Sequence, residues 1–314
     1  MKRNFYIITC LFLIMITGCK KNTITQISQP ATGAQLRFIQ AIPGLPAVDE
    51  YVNDKKISPQ QNVGLTDNLK PTSIITGITY PAAFNTATQY GGLYPGGTSV
   101  NYALVASGNA TIKIATSTPV PALVSPQTAA PNTTVVSLTS SLAERGTYSL
   151  FTIGYPDKPG SIFVEDKFPT ADMTKIYVRF GNFIPNSPAL DVTGVYTAAG
   201  ATTATTLTPF TSITANTLTD FLPIDANAVG TTGYTFQLYL AGTSTKVGAV
   251  TKAINMAPGR YYTIMANGLY ADYVVGTTGI TLKATARPTK PTDPNSLLPE
   301  IYFNPPGISY FTTK

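Results

Sequence analysis

The sequence predicts an all-β chain folded as two tandem β-sandwich domains, and three observations carry that prediction. Thr, Val, Ile, Tyr and Phe are abundant while charged residues are only 11% of the chain, too few to line the solvent faces of long amphipathic helices. Glycine and proline, 25 of each, punctuate the chain at the short intervals that separate sandwich strands. Two motifs also recur in the same order. Residues 36–51 read LRFIQAIPGLPAVDEY and residues 178–193 read VRFGNFIPNSPALDVT. Later in each copy come YSLFTIG (148–154) and YTIMANG (262–268), preceded by Gly146 and Gly259. Ordered recurrence of this kind is the signature of tandem copies of one fold.

The chain opens with Met1-Lys2-Arg3 and an apolar stretch from Phe5 to Thr17, which reads as a signal peptide over 1–18 and is too short to span a bilayer. Ile16-Thr17-Gly18-Cys19 is similar to the site at which bacterial lipoproteins are cut and acylated, so the mature chain is expected to begin at a lipidated Cys19. The other cysteine, Cys10, lies within the discarded segment. Several acyl chains on one cysteine exceed the two signals that stable membrane anchoring requires. Lys20 stands where enteric retention signals place aspartate, which favours the outer membrane and leaves its face open. Residues 19–33 read as a tether.

Beyond the tether, about 250 residues exceed one comfortable core and suit two domains. We place them at 34–170 and 171–286, with 287–314 as a Pro-rich linker and aromatic tail. A Gly- and Pro-rich insertion near 80–99 lengthens the first copy. In each copy the first motif reads as strand, kink, strand. Ile176, Val178 and Phe180 alternate with Tyr177 and Arg179 as in a half-buried strand, the prolines end it, and Ala47 or Ala189 opens the next. Asn53-Asp54 suits a turn. The second motif is a strand entered through a glycine turn, with Tyr148 and Leu150 on one face and Gly154 at its exit. In the tail, Tyr302, Phe303, Tyr310 and Phe311 either add a strand to the second domain or await a partner.

An opening RFxxxIPxxPAxD strand pair followed by a G-x-Y-[ST] strand resembles the bacterial extracytoplasmic family called domain of unknown function 4397. The resemblance covers most of 34–285 as two copies. It implies immunoglobulin-like sandwiches and Bacteroidetes-type lipoproteins, and it brings no enzymatic activity with it. The second copy departs from the pattern after Asp191, where a low-complexity stretch follows.

The chain has no histidine, which removes Ser-His-Asp and Cys-His nucleophiles and the commonest transition-metal ligand. Without the signal peptide, 19 basic and 15 acidic residues remain, with no run of three basic residues, so nucleic acid is excluded as a partner. The mature chain retains one cysteine, so packing rather than disulfides must stabilise it. No cofactor is expected. Arg37 and Arg179 are expected to reach Asp49 and Asp191 across neighbouring strands as structural pairs. Glu165, Asp166 and Asp172 lack the spacing of a calcium loop and read as a solvated linker. Tyr80, Tyr90 and Tyr94 crowd the insertion, where they either form a contact site for glycan or protein or pack on their own domain. Tyr261, Tyr262, Tyr270 and Tyr273 read as core and edge packing. These features favour a non-catalytic envelope lipoprotein that binds or scaffolds. A glycan-binding accessory of a polysaccharide uptake system comes next, and a carboxylate-dependent glycosidase a distant third.

Overall fold

Strands are the only regular elements among the described residues of this computed structural model, as its β-branched and aromatic composition leads one to expect. Those residues are 32–58, 63–65, 71–73, 77–78, 80, 93–94, 102–118, 127–196, 202–226, 233–251, 253–286 and 301–314. The signal peptide, Cys19, nearly all of the tether, Tyr90, the side chain of Tyr94 and the Pro-rich linker lie outside them.

The first half holds β1 (Ala34–Gln40), β2 (Val48–Val52), β3 (Lys55–Lys56), β4 (Val63–Leu65), β5 (Pro71–Ser73), β6 (Leu93–Tyr94), β7 (Ala103–Val105), β8 (Gly108–Thr116), β9 (Thr134–Leu142), β10 (Thr147–Tyr155) and β11 (Lys158–Glu165). The second holds β12 (Lys175–Asn182), β13 (Leu190–Tyr196), β14 (Thr205–Ile213), β15 (Thr217–Leu218), β16 (Leu222–Asp225), β17 (Thr235–Leu240), β18 (Lys246–Val247), β19 (Tyr261–Asn267), β20 (Tyr273–Val274), β21 (Thr281–Lys283), β22 (Ile301–Phe303) and β23 (Gly307–Thr312).

In the first half β11, β10, β1 and β6 hydrogen-bond in that order with β7 also on β1, and a second sheet runs β3-β2-β8-β9. The second half has the same plan: β23, β19, β12 and β15 with β16 also on β12, and β14-β13-β17-β18. The two sequence motifs of each half lie side by side. β1 pairs in parallel with β10, setting Arg37 opposite Ser149, and β12 pairs in parallel with β19, setting Arg179 opposite Thr263. A parallel pair needs a long crossover, which accounts for the wide separation of the two motifs in the sequence.

Side-chain oxygens shape the proline kink. Gln40 Oε1 accepts from the Ile42 N–H at 2.8 Å, and Asn182 Oδ1 from Ile184 at 3.3 Å. A turn follows in each, closed by Leu45 N to Ile42 O and Ser187 N to Ile184 O, with Pro43 or Pro185 at the position that tolerates a missing donor. Asn53 and Asp54 both take positive φ and join β2 to β3, the turn that their identity predicts. Tyr148 accepts a hydrogen bond from the Ala143 N–H at 2.9 Å, and Tyr262 from Ala257 at 2.7 Å. Each tyrosine thus pins the loop that enters its strand, as the tyrosine corner of immunoglobulin-like sandwiches does.

Both sheets of each half contribute to one apolar cluster. Leu36, Phe38, Val48, Ile112, Ile114 and Leu150 meet in the first, and Val178, Phe180, Val192, Phe236, Leu238 and Ile264 in the second. A third cluster draws on both halves, joining Ile39, Ala41, Phe151 and Ile153 to Phe183, Met265 and Phe311. Ile39, Phe151, Ile153 and Met265 come from the opposite faces of β1, β10 and β19, Phe311 from β23, and Ala41 and Phe183 from just past β1 and β12, so the parallel strands are covered on both sides. The half-buried strand expected of β12 is therefore corrected: Tyr177 and Arg179 are nearly as buried as Val178 and Phe180, because Phe168, Phe221 and Tyr261 close over Tyr177 and the first half meets Arg179 through Asp166 and Ser149. Thr32–Lys314 forms one compact unit.

The tail's fate is also settled for Gly307–Thr312. β23 pairs antiparallel with β19 from Tyr262↔Thr312 to Asn267↔Gly307, in the place that β11 occupies beside β10. The second sheet set thus runs past residue 286 to Thr312. Where β10 turns directly into β11, the chain after β19 first builds the small sheet β20-β21-β22.

Candidate functional site

The polar residues shared by the motifs converge where the halves meet. Arg37 and Arg179 project from β1 and β12 away from the core of their own half, since they alternate with Leu36 and Phe38 or Val178 and Phe180. Arg179 donates from Nη1 to Asp166 Oδ1 at 2.6 Å, from Nε to Thr263 Oγ1 at 2.8 Å and from Nη2 to Ser149 Oγ at 3.4 Å. Ser149 donates to Asp166 Oδ2 at 2.6 Å, and the Tyr102 hydroxyl donates to the same oxygen at 2.9 Å. The pair is enclosed, with side chains of Arg179 and Asp166 4% and 0% exposed.

Arg37 makes the reciprocal crossing. Its Nη1 donates to the Thr312 carbonyl at 3.2 Å, and its guanidinium lies 4.1 Å from the centre of the Tyr102 ring and 5.1 Å from that of Phe311. The Arg179 guanidinium lies 4.6 Å from the Phe221 ring centre, so each cation is also satisfied by an aromatic face. The strand register explains the symmetry. Asp166 follows the last residue of β11 as Thr313 follows that of β23. Asp166 binds Ser149, and Thr313 Oγ1 sits 2.7 Å from Thr263 Oγ1. Each arginine therefore reaches over the seam to the final strand of the other half or the residue just beyond it.

Burial pulls the Arg37 guanidinium below its ordinary pKa, opposed by Tyr102 and Asp166 and reinforced by Arg179. Burial likewise holds the Tyr102 hydroxyl above the usual tyrosine range, and the Asp166 charge adds to this. These shifts favour an uncharged tyrosine that donates a hydrogen bond, which is its role toward Asp166.

The expected Arg–Asp pairs are corrected. Asp49 lies in the β3-β2-β8-β9 sheet, held by Lys56 at 2.9 Å and by the Ser58 hydroxyl at 3.1 Å. Asp191 accepts the backbone N–H groups of Ser212 at 2.7 Å and Gly242 at 2.9 Å, tying β13 to β14 and to the turn after β17. Both aspartates serve their own half because β2 and β13 belong to the sheets that do not form the seam. The solvated reading of Asp166 is corrected too, while Asp172 remains at the surface, holding Thr174. Sequence reasoning also missed Tyr102. Nothing near it repeats, and its partners lie 64 residues away at Asp166 and 211 away at Thr313.

Tyr80 accepts a hydrogen bond from the Gly268 N–H at 2.7 Å, and burial holds its hydroxyl above the ordinary range, only partly offset by that bond. Its hydroxyl is thus spent on a contact that reaches from the first half to the second. Of the other expected contact residues, Tyr94 places its backbone in β6 opposite Phe38. Tyr261 and Tyr262 are buried, Tyr273 stacks on Tyr155 with centroids 3.7 Å apart, and Tyr270 is exposed. Among the described residues no group of three or more Cys, Asp or Glu is placed to hold a metal ion.

The model of a family described as domain of unknown function (DUF4397) matches residues 34–193. The chain belongs to this family. The DUF4397 match runs from β1 into β13, so it takes in the whole first half together with Tyr102, Asp166 and Arg179. No curated protein matches the chain.

Proposed function

We propose that this chain is a non-catalytic, lipid-anchored protein of the outer membrane, built as two tandem immunoglobulin-like sandwich domains that act as one rigid binding or scaffolding body. The observation that carries this reading is the use made of the shared motif residues. Arg37, Ser149 and Arg179 are spent on joining the halves, and Thr263 holds Arg179 in place from its own sheet. A rigid body hung from its amino terminus suits presentation of a surface to an envelope partner. The matching strand orders of the two halves and their paired tyrosine corners support the tandem-sandwich reading. Ile16-Thr17-Gly18-Cys19 supports the anchor. For the glycan-accessory alternative, the Tyr80 hydroxyl is already engaged by Gly268, which leaves its ring face for stacking.

Metabolic labelling with an alkyne fatty acid tests the anchor. The chain is expected to take up label and to fractionate with the outer membrane, and Cys19→Ser to abolish both. An unlabelled wild-type chain would overturn the reading. Protease shaving of intact cells then assigns the membrane face: loss of the chain places it outside, and survival until the membrane is breached places it in the periplasm.

A further inference from the structure

Glu50 lies in the middle of β2 with no exposed surface. Residues two apart on a strand share a face, so Glu50 points the same way as Val48 and Val52, both members of the first half's apolar cluster. Its backbone partner across the sheet is Ile114, another member. Among the described residues neither carboxyl oxygen has a hydrogen-bond partner.

The charged and titratable groups on the described strands around it are turned elsewhere. Asp49, on the other face of β2, is bound by Lys56 of β3, and Lys55 is exposed. Lys113 of β8 reaches Asp54 at 3.1 Å and lies 5.0 Å from the Tyr51 ring centre. Arg37 of β1 belongs to the seam, and Tyr148 of β10 spends its hydroxyl on Ala143. Lys158 and Glu165 of β11 are exposed, and β7 and β9 carry no titratable side chain. An ionised carboxylate at this place would be shut off from water with no countercharge among the described residues, and a group so placed takes up a proton instead.

We propose that Glu50 is a proton-held latch in the first half: the folded chain keeps its carboxyl neutral, and ionisation at alkaline pH releases β2 from its sheet. On its outer side β2 is held by the two-residue β3, by a bridge from Val48 to Ile78 and by Ile57 and Ser58 on Glu50, a short edge that local opening can break without unzipping a long ladder. Burial alone pushes the carboxyl up from 4.5 to about 8. The folded form therefore binds the extra proton between those values. The stability Glu50 contributes is fully present below about 4.5 and is lost as pH rises through about 8.

The chain has four glutamates, Glu50, Glu144, Glu165 and Glu300, so carbon-13 labelling of glutamate carboxyls gives a direct readout in the full chain. One signal, absent from Glu50→Gln, is expected to titrate near pH 8. If all four titrate below pH 6, the proposal is overturned without reference to any variant. Amide hydrogen exchange, corrected for intrinsic rates, reads the latch itself. The β2 amides of the wild type are expected to open at least tenfold more at pH 9 than at pH 6, and those of Glu50→Gln to open equally at both. Equal pH dependence in the two proteins would overturn the release of β2.

Discussion

Arg179 shows how one side chain can hold two bodies of β-structure together. It binds Thr263 on its own sheet and Asp166 and Ser149 on the other, so its removal leaves a carboxylate enclosed without its cation. Breaking a buried pair from one side costs about 3–5 kcal/mol. Arg179→Ala should lose that much in urea denaturation, and adding Asp166→Ala should cost less than the sum of the single changes. Lysine should not rescue the site, because a single ammonium cannot serve three directions as a guanidinium does. The recurrence of Arg37 and Arg179 in the sequence marked both as structural. Their partners were not legible, since Asp166 belongs to no repeated motif and its counterpart beside β23 is Thr313, a residue of different chemistry.

At the scale of elements, the motif glycines and tyrosines do local work that the sequence shows plainly. Gly154, next to last in β10, and Gly268, just past β19, have φ of +92° and +98°. A Cβ on Gly268 would lie 2.3 Å from the Pro305 carbonyl oxygen, in the stretch that leads into β23. Gly242 also has positive φ, with nothing within 4 Å of such a Cβ. Gly242→Ala should therefore cost about 1 kcal/mol, the penalty of the left-handed conformation, and Gly268→Ala clearly more, as read from thermal denaturation of both variants. Tyr262→Phe removes the bond from Ala257 and should cost about 1 kcal/mol while leaving the strand order intact. A loss below the error of measurement would count against the corner as a stabilising device.

For the whole molecule, the last strand decides how the halves cooperate. β23 covers the open edge of β19, sends Phe311 into the shared apolar cluster and offers the Thr312 carbonyl to Arg37. Deleting residues 307–314 removes all three at once. Urea unfolding of the full chain should then be a single transition, and the truncated chain should show two, the second half melting first. One transition in both would mean that the seam survives without β23.

The sequence by itself determined the all-β class, the proline kinks, the Asn53-Asp54 turn, the paired motifs and the family. Each follows from constraints that act within a few residues: the fixed φ and missing donor of proline, the left-handed freedom of glycine and asparagine, and the two-residue period of a strand. Tertiary structure alone decided that both faces of the parallel strands are buried, that Arg179 answers Asp166 while Asp49 and Asp191 stay within their own halves, that Tyr80 packs on Gly268, and that β23 completes the second set of sheets. Those outcomes depend on which surface comes to lie against a strand, from 13 residues away for Asp166 and Arg179 to 188 for Tyr80 and Gly268. Local periodicity reports that a side chain is turned to one face, and only the packed chain supplies what waits there.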